Sequence, residues 1–213
     1  MRTAKRSFGL PLLVGLALAM GIGAFAQDDL GPMDAAAKER FDAKMLSAYE
    51  GTPLPVVEKM LELAQVRPGE LVYDLGSGDG RIVVMAVQKF GARAVGIELD
   101  PRLARRSTET LQHAALIPQA RIIEGDVLEQ DLSPADVVTV YMTPYGMGKL
   151  RSRLEKQLRP GARVVICVDQ IPGWAPATVI QVAGGSGRTY RLTLYVIPKA
   201  RDWASYSKFG DAH

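Results

Sequence analysis

From residue 52 to residue 170 two kinds of apolar pattern alternate along the chain. Leu71 to Leu75, Ala94 to Leu99, Ala120 to Glu124, Asp136 to Tyr141 and Arg163 to Asp169 are short apolar runs, the length of strands in a buried sheet. Between them lie stretches apolar on one helical face: Arg81 to Phe90, Pro101 to Leu116, and Tyr145 to Leu158 with Leu150, Leu154 and Leu158. Strand and helix in alternation predict a single α/β domain, a Rossmann-like doubly wound, mostly parallel sheet. Two helices precede it, Asp34 to about Ala48 and a second from Thr52-Pro53 to Val66, stopped by Pro68-Gly69. The tail breaks the alternation. Thr178 to Val182 and Tyr190 to Ile197 are joined by Gly184-Gly185-Ser186-Gly187, which predicts a C-terminal antiparallel hairpin at the sheet's end.

The amino-terminal end belongs to none of these elements. Arg2, Lys5 and Arg6 precede an uncharged run closing in Ala24-Phe25-Ala26, the pattern of an export signal cleaved after Ala26. The alternative is an uncleaved membrane anchor, although a run broken by Gly15, Gly21 and Gly23 is short for a span of roughly 20 residues. Both readings put the domain on the exported side, because the leading cations hold their end inside while Asp28 and Asp29 follow the run. The expected organisation is a signal peptide over 1–26, a linker and helix over 27–50, one catalytic domain over 51–198 and an extension over 199–213 whose Trp203, Tyr206 and Phe209 pack on the surface. At 213 residues, 47% of them hydrophobic, the chain has length for one well-buried domain.

Charge narrows the partners. Removing Arg2, Lys5 and Arg6 from 26 basic residues brings them level with the 23 acidic ones, so no excess of cations remains to grip duplex nucleic acid, and no nucleic-acid partner is expected. A membrane is a partner only if the leader stays uncleaved. Cys167 is the only cysteine, which excludes an intrachain disulfide and a multi-cysteine zinc site, and its neighbours Val164, Val165, Ile166 and Val168 make it core filler. No metal-ligand set is read. His113 lies within a helix and His213 is terminal, so no histidine-based mechanism follows.

The most informative stretch runs from Val72 to Arg81, a strand ending in Asp74-Leu75-Gly76-Ser77-Gly78-Asp79-Gly80 and entering a helix directly. Glycines at 76, 78 and 80 permit positive φ and remove side chains, so a ligand is expected to lie against the loop's amides. Glu98 ends the next strand, where an acidic side chain accepts bonds from ribose hydroxyls. Asp74, Glu98, Asp126 and Tyr141 all fall at strand ends facing the crevice where such sheets bind ligands. The structural alternative is local: Asp79 as a helix cap, Asp100-Pro101 as a helix start, Gly125-Asp126 as an ordinary turn. The glycines run G-x-G-x-G and not G-x-G-x-x-G, and Asp79 would repel a pyrophosphate, whereas Asp74 favours a cationic aminoacyl group.

Asp74 to Gly80 followed by Val95-Gly96-Ile97-Glu98-Leu99-Asp100 resembles the first two signature motifs of class I S-adenosylmethionine-dependent methyltransferases, and Glu124-Gly125-Asp126-Val127 resembles their adenine-side turn. The resemblance implies that fold and S-adenosylmethionine as cofactor. It places Asp74 and Gly76, Ser77, Gly78, Asp79 and Gly80 at the methionine part, Glu98 and Leu99 at the ribose, and Asp126 and Val127 at the adenine. A narrower similarity covers Thr52-Pro53 before Val56-Val57-Glu58, the run Gly78 to Val83, and Tyr141 followed by Leu150, Leu154 and Leu158. It resembles the family containing the ATP synthase c-subunit lysine methyltransferases and their bacterial relatives, and implies methylation of protein lysines. The chain departs from that family at Tyr49-Glu50-Gly51-Thr52, where an aromatic-Val-Pro-Thr is expected, and Thr143-Pro144-Tyr145 is only loosely similar to the Asn-Pro-Pro-Tyr box of amine methyltransferases.

Methyl transfer from a sulfonium is an in-line displacement, so positioning carries most of the catalysis and a dedicated base is not required. The acceptor, a protein or a small molecule, would be oriented by the hydroxyls of Tyr141, Thr143 and Tyr145, which stand as the candidate catalytic residues. Two rival readings stay open: a non-catalytic S-adenosylmethionine-binding module, encouraged by the export leader, and an NAD-dependent oxidoreductase.

Overall fold

The computed structural model describes residues 30–185 and 187–199. The leader, the aromatic residues beyond Pro198 and Ser186 of the hairpin lie outside the described residues. Among the described residues twelve elements follow in chain order: α1 (Ala35–Lys44), α2 (Leu54–Leu63), β1 (Leu71–Leu75), α3 (Arg81–Gln88), β2 (Arg93–Glu98), α4 (Pro101–His113), β3 (Ala120–Glu124), β4 (Val137–Val140), α5 (Pro144–Gln157), β5 (Arg163–Cys167), β6 (Thr178–Ala183) and β7 (Thr189–Val196).

The seven strands form one sheet in the order β3-β2-β1-β4-β5-β7-β6. The first five are mutually parallel, and β7 inserts antiparallel between β5 and β6. The alternation of strands and helices along the chain thus reads out as a doubly wound sheet, and the glycine-rich linker as a hairpin. Strand periodicity sorts the core into two layers. Val72, Ala94, Val137, Val165 and Cys167 pack under α2 and α3, while Tyr73, Val95, Val138, Val164 and Ile166 pack on the other face with Leu150, Leu154 and Leu158. The chain order reverses between β1 and β4, so the crevice at the carboxyl ends of these strands is the natural ligand site.

Several boundaries move from their expected places. α1 ends at Lys44 instead of near Ala48, because Ala37 is its only buried residue and its last turn has little to pack against. The following residues instead run across the crevice, tied down at Leu46, whose carbonyl accepts from the Thr143 hydroxyl at 2.7 Å. β5 stops at Cys167, two residues early. There Val168 takes φ +75°, costly for a β-branched residue, and its carbonyl is held by the Arg191 guanidinium at 2.9 and 3.1 Å.

Two consequences can be measured directly. Burial pushes the Cys167 thiol up to about 12, so a disulfide reagent is expected to leave the native protein unlabelled and to label one thiol per chain in denaturant. Fast labelling of the native protein would contradict this. In β2, a Cβ on Gly96 would stand 2.6 Å from Ser77 Oγ and 2.7 Å from Ile122 Cδ1. Gly96→Ala is expected to destabilise the fold by ~1–3 kcal/mol, read as a drop in denaturation midpoint.

Candidate active site

The glycine turn after β1 is built by its own backbone. Gly76, Gly78 and Gly80 take φ of +78°, +56° and +80°, conformations that cost any L side chain, and the turn delivers the chain from strand into α3 within five residues. Four of its amides, however, are engaged by the protein itself. Those of Gly76 and Ser77 donate to the Ile97 carbonyl at 2.9 and 3.0 Å, that of Gly78 donates to Glu98 Oε2 at 2.7 Å, and that of Gly80 closes on the Ser77 carbonyl. The expectation that a ligand would lie against the loop's amides is corrected for these four. The loop folds back on β2 and commits these four amides to the protein's own oxygens, which removes them as donors to a dinucleotide's pyrophosphate.

The acidic residues divide into two groups. Asp79 is not available to a ligand as a free charge, contrary to its expected role in sorting phosphate from ammonium. Its carboxylate takes the Arg81 guanidinium at 2.5 to 3.0 Å, with both side chains buried. Arg81 continues to the Thr52 carbonyl at 2.8 Å and the Tyr49 hydroxyl at 3.5 Å, so the pair clamps the segment between α1 and α2 over the loop. Sequence reasoning gave Arg81 no role; an arginine at the start of an apolar helix face was the available signal. Burial, and then the Asp79 carboxylate, push the Tyr49 phenol up to about 12.

Asp74 and Glu98 do face the crevice. Asp74 is buried beneath the loop and accepts from the Thr139 hydroxyl at 2.7 Å, a neighbour across β4 that the sequence did not single out. Burial raises its carboxyl to about 7, with the Glu98 and Asp79 charges adding to the effect. Glu98 accepts from the amides of Gly78 and Asp100 at 2.7 and 2.8 Å, one on each carboxylate oxygen, which fixes the carboxylate and leaves each oxygen a second lone pair. Burial raises it as well, against those two amides. Asp126 anchors its turn through the Leu128 amide at 2.8 Å, and Lys44 of α1 stands 3.9 Å from its other oxygen.

One pocket collects most of the expected cofactor residues: Asp74, Gly76, Ser77, Gly78, Asp79, Glu98, Leu99, Asp126 and Val127 line it, with Tyr141 at one side and residues 44–52 as a cover. Gly80 lies apart, where a Cβ would meet Ser107 Cβ at 3.0 Å, so it serves the approach of α3 to α4. Of the three candidate hydroxyls only Tyr141 lines the pocket. Thr143 caps α5 and Tyr145 is exposed, its ring under the Lys149 ammonium at 4.5 Å. Tyr141 donates to Glu50 Oε2 at 2.8 Å, and burial together with that carboxylate raises its phenol, so it acts as a hydroxyl and not as a base.

The lining fits S-adenosylmethionine. Carboxylates line the pocket, Ser77 Oγ is buried without a hydrogen-bond partner among the described residues, and Gly78 is so close to Tyr49 that a Cβ would stand 2.4 Å from its ring. Residues 74–178 match the family model described as the ANTKMT methyltransferase domain. A protein-lysine N-methyltransferase of Saccharolobus islandicus is 39% identical over 150 residues, which are 70% of this chain and 92% of that protein. The chain belongs to the ANTKMT methyltransferase family. It is an S-adenosylmethionine-dependent methyltransferase with the α/β fold of that class.

An RNA methyltransferase of Salinibacter ruber, solved in complex with S-adenosylhomocysteine, superposes with a TM-score of 0.67 at 41% identity, covering 70% of this chain and 95% of that one. The ATP synthase c-subunit lysine N-methyltransferase of Rattus norvegicus is 37% identical over 120 residues, 56% of this chain. The chain spans only about half the length of that mammalian enzyme and of its human counterpart. Membership in this family, with a loop whose amides are already engaged, leaves no support for the oxidoreductase reading.

Proposed function

We propose that this methyltransferase modifies lysine side chains of a protein. The observation that carries the reading is the 39% identity to a protein-lysine N-methyltransferase across nearly that enzyme's whole length. The balance of acidic and basic residues beyond the leader supports it, since a chain gripping RNA phosphates would need a cationic excess.

S-adenosylmethionine, when bound, supplies a methyl group on a cationic sulfur. Around it Asp74 would hold the ammonium of the methionine part, Glu98 the ribose hydroxyls and Asp126 the adenine amino group, while Gly78 lets the Tyr49 ring of the cover close against the loop. Tyr141 orients the incoming amine, which reacts with its lone pair free and loses its proton to water. Among the described pocket residues no histidine is present to take that proton. Residues 44–52 cover the cofactor side of the pocket.

Transfer of radiolabel from the cofactor, in cell extracts supplied with the purified chain, tests the reading. Label that survives ribonuclease, is released by protease and appears as methyl-lysine on hydrolysis is the expected result. Label removed by ribonuclease would replace lysine by RNA as the acceptor. The leader reading adds that the domain works on the exported side of the membrane, and protease added to intact cells should then reach it after permeabilisation of an outer envelope alone.

A further inference from the structure

At the mouth of the pocket three residues from distant parts of the chain meet. Glu50 comes from the covering segment, Tyr141 from the end of β4 and Arg188 from the β6–β7 hairpin. Glu50 Oε2 accepts from the Tyr141 hydroxyl at 2.8 Å and Glu50 Oε1 accepts from Arg188 Nη1 at 2.5 Å, while Arg188 Nη2 stands 3.4 Å from the Tyr141 oxygen. A carboxylate and a hydroxyl at the edge of the methyl-transfer pocket therefore hold a cation, and that cation belongs to the protein itself.

We propose that Glu50 and Tyr141 form the binding site for the ammonium of the acceptor and that Arg188 occupies it as a displaceable internal cation. The inference rests on the lysine reading and names the residues that would recognise the side chain. Three features support exchange. Both partners of the Glu50–Arg188 pair are about half exposed, and such pairs are held weakly. The Arg188 guanidinium already lies over the Tyr190 ring, 4.8 Å from its centroid, so it keeps a favourable contact after leaving Glu50. The hairpin tip turns through Gly185 and Gly187 at φ +85° and +84°, and a Cβ on either would meet nothing within 4 Å, so open space adjoins Arg188. An alkylammonium presents three donors to the two oxygens that Arg188 now holds, Glu50 Oε1 and the Tyr141 hydroxyl.

The site also gives meaning to the departure from the family's pattern at residues 49–52, since Glu50 places a charge where an apolar residue is expected. Acceptor binding by such a site weakens with salt and is blind to uncharged side chains.

Calorimetry of hexa-L-lysine binding to the full chain saturated with S-adenosylhomocysteine tests the proposal. Arg188→Gln is expected to bind hexalysine at least threefold more tightly than the unaltered chain, and Glu50→Gln at least tenfold more weakly. Affinity for S-adenosylhomocysteine, measured on each variant, reports the integrity of the fold, and the exposed Arg188 variant keeps the test open should Glu50→Gln fail to fold. Hexalysine that binds Arg188→Gln no better, or a folded Glu50→Gln no worse, overturns the proposal. Methyl label in lysine with indifferent hexalysine binding would defeat the site and leave the lysine reading standing. Label in RNA with the expected hexalysine shifts would do the reverse.

Discussion

A Gly78→Ala chain is expected to fold with a lowered melting temperature and to bind S-adenosylhomocysteine ~100-fold more weakly. Two effects add. Alanine at φ +56° costs about 1–2 kcal/mol in backbone strain alone. Its Cβ would also stand 2.4 Å from Tyr49 Cε2 and 2.8 Å from Cδ2, closer than carbon atoms approach. Tyr49 cannot simply swing away, because Arg81 lies beside its hydroxyl and clamps its segment through Thr52. The strain is relieved by lifting the cover off the pocket, which removes contacts from both sides of the cofactor; two tens in affinity correspond to about 3 kcal/mol. Calorimetric titration checks it, and affinity within threefold of the unaltered chain would show that Tyr49 and the loop do not enclose the ligand.

Asp74→Asn is expected to move stability and binding in opposite directions. Burial holds the Asp74 carboxyl at about 7 where an exposed one titrates at 3.8. Between those values the folded chain keeps a proton that the unfolded chain has lost, so the group's contribution to stability is complete below the lower value and disappears as pH rises through the upper one. The loss is of the order of 4 kcal/mol across that range. Asparagine keeps the shape and an acceptor for the Thr139 hydroxyl but carries no charge. The variant should therefore melt several degrees higher than the unaltered chain at pH 8 and at a similar temperature at pH 4. A cationic ligand group beside Asp74 favours its ionised form, so cofactor affinity in the unaltered chain should rise with pH up to about 7. In Asp74→Asn it should be lower by ~10–100-fold, the weight of one hydrogen bond to a charged group, and flat with pH. Parallel melting curves for the two chains from pH 4 to pH 8 would sink this account.

Much of the pocket was legible because its parts are local. Asp74, the glycines after it and Glu98 sit at fixed offsets from strand ends, and strand ends are readable from apolar runs. What escaped were pairings between distant residues. Glu50 and Arg188 are 138 residues apart and Glu50 and Tyr141 are 91 apart, and nothing near any of them in the chain marks them as partners. Asp79 misled for the opposite reason: its charge was visible, but its neutralisation by a guanidinium two residues on depends on the turn that brings Arg81 back beside it. Thr143 and Tyr145 lay near the crevice in sequence, yet the start of α5 turned one into a cap and the other outward.

The inward-turned amides of the loop bear on how this protein tells apart two molecules that share an adenosine. ATP is abundant wherever cytoplasm is, and it carries the same base and sugar as the methyl donor. A triphosphate entering this pocket would find four loop amides already engaged, since Gly76, Ser77, Gly78 and Gly80 give theirs to the protein's own oxygens. It would lie instead among the carboxylates of Asp74 and Glu98, four negative charges of its own against theirs. Discrimination against the commonest adenine nucleotide is thus shared between the folded backbone, which engages the Gly76, Ser77 and Gly80 amides, and Glu98, whose carboxylate takes that of Gly78 and adds its own charge.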